Sequence, residues 1–118
     1  MKLDLPETAR SGELFGVMGY LENSGEPLAD APVAFVLEAF GQFWFWPTWR
    51  HFAPPDSGGI DYRCMDVPLG SAPVEVLPSF IVPSLAAPVD GEFFGAILTT
   101  NLDEILGIYC DRPFSLQP

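Results

Sequence analysis

The chain reads as an all-β protein of two packed antiparallel layers, and three observations predict this. About seven strand-length stretches are punctuated by Gly, Pro, Asn and Asp, and none carries a sustained helical period. Thirteen prolines in 118 residues are about twice the usual share of roughly 5%, and proline disrupts helix interiors while suiting stiff loops and strand edges. Hydrophobic residues at 48% and aromatics at 14% supply enough apolar surface to close one core between two layers.

Taken in order, residues 1–11 form a flexible segment, or one that pairs with a partner's sheet edge through Leu3-Asp4-Leu5. Residues 13–22 place Phe15, Val17 and Leu21 on one face, interrupted by two glycines, before an Asn23-Ser24-Gly25 turn. Residues 32–40 alternate, with Val33, Phe35, Leu37 and Ala39 on one face and Ala34, Val36, Glu38 and Phe40 on the other. Gly41-Gln42 reads as a hairpin tip that returns the chain as Phe43-Trp44-Phe45-Trp46, ended by Pro47. If Phe35 and Leu37 face the core, this hairpin is expected to turn Phe43 and Phe45 inward with them. A loop rich in Pro and Gly follows at 53–59. Residues 60–67 then form a strand with Ile60, Tyr62 and Cys64 on its apolar side. Residues 73–82 form a strand that Pro78 assigns to a sheet edge or a bulge. Residues 92–99 and 105–116 supply the last two strands, with room for a short helical turn in 99–104. No internal repeat or linker divides the chain, so residues 1–118 read as one domain.

Five basic residues against sixteen acidic ones give a formal charge of -11, and Lys2 is the only lysine. Such a surface repels phosphate backbones and anionic lipid, which argues against nucleic-acid and membrane-surface partners. No apolar run approaches the roughly 20 residues a membrane-spanning helix needs. Met1-Lys2 leads into Leu3-Asp4-Leu5-Pro6 rather than a long apolar stretch. That leaves two readings: a cytosolic protein, or a segment of a larger exported one in which Met1 is not native.

Signs of catalysis are sparse. His51 is the only histidine, and neither a Gly-x-Ser-x-Gly elbow nor a phosphate-cradling glycine loop occurs. Sixteen acids make an accidental carboxylate pair almost certain, so none points to glycoside hydrolysis. No cofactor is expected. Asn101, Asp103 and Glu104 are the best calcium candidates, since hard cations want several oxygen ligands, but a solvated acidic loop is the usual explanation and no metal is expected. The aromatic run is the richest candidate for binding. Trp44, Trp46, Trp49 and Phe52 are the residues to watch: covered by a loop, buried by a protein partner, or exposed as a platform for sugar rings.

The stretch Gly19-Tyr20-Leu21-Glu22-Asn23-Ser24-Gly25, followed by Ala31-Pro32-Val33-Ala34-Phe35-Val36-Leu37, resembles the strand, Asn-x-Gly turn and next strand of immunoglobulin-like domains in bacterial surface proteins. The cell-adhesion-related domain of bacteria is the family it looks most like. Phe43-Trp44-Phe45-Trp46-Pro47-Thr48-Trp49 is similar to an aromatic strand closing with Pro-x-Trp in large exported proteins. Phe93 to Thr99, then Ile105-Leu106-Gly107, resembles the last two strands of such modules. The resemblance implies an immunoglobulin-like sandwich of about seven strands, in an extracellular or cell-envelope protein, without enzymatic activity. In that compartment a Cys64–Cys110 disulfide is the natural expectation, whereas a cytosolic origin would leave two free thiols.

The resulting expectation is a non-catalytic structural or adhesive module that meets neighbouring domains or a protein or polysaccharide surface. A carbohydrate-binding module built on the tryptophans and a self-associating fibre subunit are the alternatives.

Overall fold

A computed structural model describes residues 1–51 and 59–118 of the chain. The described residues form nine strands: β1 (Lys2–Asp4), β2 (Thr8–Arg10), β3 (Leu14–Asn23), β4 (Leu28–Ala39), β5 (Gln42–Phe45), β6 (Arg63–Val67), β7 (Gly70–Ile81), β8 (Val89–Leu98) and β9 (Ile105–Gln117). They pair into two sheets, one ordered β1-β3-β7 and the other β2-β9-β8-β4-β5, with β6 also paired to β4. Residues 99–104 make a turn with no helix.

Alternation drives the layering. Phe15, Val17 and Leu21 of β3 are buried, as are Val33 and Phe35 of β4 and Phe93 and Ile97 of β8. These inner faces meet in one core, so the period-2 patterns of β3 and β4 point as the sequence predicts. Pro78 sits in β7, a terminal strand of its sheet, where a missing N–H interrupts no ladder on the free side.

The first eleven residues pair within the chain. β1 pairs antiparallel with β3, and β2 crosses to the other sheet and pairs parallel with β9. Leu3, Leu5 and Ala9 are buried, which fastens this segment to both layers of its own chain. Burial of Leu3 and Leu5 at roughly 1.5–3 kcal/mol each, together with Ala9 and the ladder hydrogen bonds of both strands, offsets the entropy lost in ordering the terminus.

The β4–β5 hairpin corrects two expectations. Its tip is Phe40-Gly41, not Gly41-Gln42, and Ala39 pairs with Gln42. Both tip residues have positive φ, 55° for Phe40 and 70° for Gly41, the backbone a two-residue type I′ turn requires. A two-residue turn always sets odd-numbered residues of one strand against even-numbered residues of the other. Leu37 therefore faces Trp44, while Glu38 faces Phe43 and Val36 faces Phe45. The tryptophan side of β5 is the inner side, and Phe43 and Phe45 point outward with Glu38 and Val36.

The strand expected at 60–67 starts only at Arg63, and its sides are reversed. Val67 is buried and Met65 packs against the core, while Cys64 is exposed.

Candidate functional site

The strand ends gathered beside the β4–β5 hairpin leave the sandwich open. There the two sheets part around a cleft of about 320 Å³ that is lined, among the described residues, by apolar and aromatic side chains alone. Leu77 and Phe80 of β7 form one wall, Leu37 and Trp44 the other, and Phe93 and Phe114 the floor. Phe93 and Phe114 stack at 5.2 Å between ring centroids, and Phe15 joins Phe114 at 5.2 Å. Phe40 stands at the rim. Its side chain is 73% exposed although its residue occupies the left-handed region, where a bulky side chain is disfavoured. Asn, Asp or Gly is the usual occupant of this turn position.

The predicted aromatic site is divided by this geometry. Trp44 and Trp49 line the cleft; Trp46 does not. Trp46 is only 5% exposed and meets Phe35 edge-on at 5.1 Å, so the core claims the ring offered above for sugar stacking. Trp49 stands edge-on to Phe93 at 6.1 Å, and Trp44 lies beside His51 at 5.5 Å. His51 is fixed in turn by a 3.1 Å hydrogen bond between its Nδ1 and the Phe43 carbonyl. The three tryptophans share no open plane, and Phe52 lies outside the described residues. Phe40, the rim residue, went unrecognised in the sequence. Its signal is an aromatic residue directly before Gly where a hairpin must turn.

Cys64 and Cys110 are both free, which corrects the expected disulfide. Their strands β6 and β9 belong to the same sheet, with β4 and β8 between them. Three strand spacings amount to about 14 Å, against the roughly 4.4–6.8 Å between Cα atoms that a disulfide spans. Alkylation of the native, unreduced protein is expected to add two adducts by intact mass, the first at exposed Cys64 and the second at half-buried Cys110. A single species that resists alkylation until reduced would contradict this arrangement.

The proposed calcium ligands serve their own loop. The Thr99 hydroxyl lies 2.8 Å from Asn101 Oδ1 and 2.9 Å from Asp103 Oδ1, and Asn101 Nδ2 donates to Asp103 Oδ2 at 3.1 Å. Thr99 Oγ1 also accepts from the Glu104 amide at 3.3 Å. Among the described residues no group of three or more His, Cys, Asp or Glu is placed to hold a metal ion.

A second surface lies on the outer face of the larger sheet. Register places Glu38 opposite Glu92, and Phe94 opposite both Val36 and Asp111. Glu38, Glu92 and Asp111 thus converge from three adjacent strands. The Glu92 carboxyl is raised above its ordinary value of 4.5, first by a hydrogen bond with Asp111, then by partial burial and the charges of Asp111 and Glu38. A carboxyl that holds its proton more tightly when folded adds stability below the ordinary glutamate range. That contribution disappears as pH rises through the raised value. Glu92→Gln is therefore expected to raise the denaturation midpoint at neutral pH, by about 0.2–1 kcal/mol for relief of a directly opposed like-charge pair. The gain should vanish in acid, and an equal gain at all pH values would remove the electrostatic explanation.

No protein-family model, curated protein or solved structure matches the chain.

Proposed function

We propose that this chain is a non-catalytic binding module that holds an apolar group of its partner in the open end of its sandwich. The observation that carries the reading is the 320 Å³ cleft with its wholly apolar lining and the strained, exposed Phe40 at its rim. A cleft of this size falls within the usual range for ligand sites, roughly 300–1,000 Å³. Its described lining is hydrocarbon and aromatic throughout, which suits retention of hydrocarbon or aromatic groups.

The same proposal places the module in the immunoglobulin-like class, as a spacer or adhesive unit of an exported bacterial protein. Its support is strand order. β1-β3-β7 and β2-β9-β8-β4-β5 follow the A-B-E and A′-G-F-C-C′ arrangement, with the first strand shared between sheets. The module differs from antibody-type domains in lacking cysteines on β3 and β8, so its layers are held by Phe15, Phe35 and Phe93 instead.

Phe40→Asn tests the function. Asn accepts the left-handed backbone, so the variant is expected to be more stable by about 1 kcal/mol in denaturant melts. It should also weaken binding of indole and of hexanol, followed by amide shifts of Leu37, Trp44 and Leu77. A wild-type protein whose cleft amides ignore both probes would overturn the reading.

A further inference from the structure

Beyond the end cleft, we infer that the outer face of the six-stranded sheet docks a polypeptide segment of another protein that carries an apolar half followed by a basic half. Register arranges this face as a grid. One row runs Phe43, Glu38, Glu92 across β5, β4 and β8, and the next runs Phe45, Val36, Phe94, Asp111 out to β9. Beyond these, Ala34 stands opposite Ala96. Ala34, Val36, Phe94, Ile105 and Tyr109 surround a shallow apolar depression of about 220 Å³. Phe43, Ile105 and Tyr109 are among the large apolar side chains left exposed on the molecule.

A sheet face on the water side ordinarily alternates to polar residues, and a contiguous apolar patch there marks an interaction surface. The occupant follows from charge. Three carboxylates, Glu38, Glu92 and Asp111, border the depression on one side only, and the basic residue in their rows, Arg50 opposite Phe45, stands at the other end of its row from Asp111, across Phe45, Val36 and Phe94. Their mutual repulsion is a standing cost that Lys or Arg side chains would relieve on docking. A second copy of the chain is disfavoured, since it would bring another net charge of -11 against the same acids.

The test titrates the whole chain with the peptide Val-Tyr-Val-Gly-Arg-Lys-Arg at fixed salt, reading the affinity and the amide shifts of Val36, Phe94 and Tyr109. The peptides Ser-Ser-Ser-Gly-Arg-Lys-Arg and Val-Tyr-Val-Gly-Glu-Asp-Glu serve as controls. Shifts confined to this face are expected, with affinity falling about tenfold or more for either control. Glu38→Gln combined with Glu92→Gln should cost about tenfold, whereas Glu7→Gln combined with Glu75→Gln, an equal change of charge away from this face, should cost less than about twofold. Equal losses for the two double variants would reduce the effect to bulk attraction and overturn the proposal. So would shifts at Leu37 and Trp44 instead, which would assign the peptide to the end cleft. Mass that rises with concentration, and rises further in the Glu38→Gln, Glu92→Gln variant, would make a second copy the occupant and overturn it as well.

Discussion

Trp46→Ala is expected to destabilise the protein by about 3–5 kcal/mol, the range for removing a large aromatic from a packed core. The indole is buried against Phe35 at the end of the aromatic run, and the Trp46 amide donates to the Phe35 carbonyl at 3.0 Å. The backbone bond survives truncation, so the loss is packing: a cavity beside Phe35 that a close-packed core cannot close without moving its strands. Native stabilities of roughly 5–15 kcal/mol leave little after such a loss. Phe45→Ala, by contrast, removes a half-buried ring from the outer face and should cost about 1–2 kcal/mol. Denaturant melts of the two variants decide the matter directly. If Phe45→Ala proved as costly as Trp46→Ala, the assigned face of the aromatic strand would be wrong.

That contrast shows where sequence pattern stopped informing. Alternation in Phe43-Trp44-Phe45-Trp46 separates two sets of rings but does not say which set is inside, because both are apolar. In β3 and β4 the choice is legible, since Glu22 and Glu38 mark the outer sides of those strands. For β5 the face depends on the number of residues in the turn, and any two-residue tip, at Gly41-Gln42 or at Phe40-Gly41, sets the tryptophans on the side of Phe35 and Leu37. The cysteines posed a different problem. Spacing along the chain says nothing of how many strands separate two positions in a sheet, and here β4 and β8 intervene. The end cleft was illegible for the same reason. Its walls come from β3, β4, β5, β7, β8 and β9, and only the fold brings those strand ends together. Pro78 in an edge strand and the inner faces of β3 and β4 were readable because each depends on local chemistry alone.

The second large effect is expected at the contact between Gly19 and Phe35, where the two sheets approach closely in the core. A Cβ added at Gly19 would lie 2.8 Å from Phe35 Cζ, 2.9 Å from Cε1 and 3.2 Å from Val76 Cγ2. On its other side the ring lies close to Gly95, where an added Cβ would stand only 3.0 Å from it. Phe35 is therefore held in a slot between two glycines, one from each layer, and these are the residues that interrupt the apolar runs of β3 and β8. Gly19→Ala should cost about 1–3 kcal/mol by overpacking, although alanine suits a strand better than glycine does. Phe35→Leu opens the slot, so adding Gly19→Ala to that variant should cost less than in the parent. A coupling of about 0.5–3 kcal/mol in the double-mutant cycle is the expected result, measured by denaturant melts of all four proteins. Additive costs would mean that the ring does not occupy the slot, and the packing of β4 across β3 would have to be redrawn.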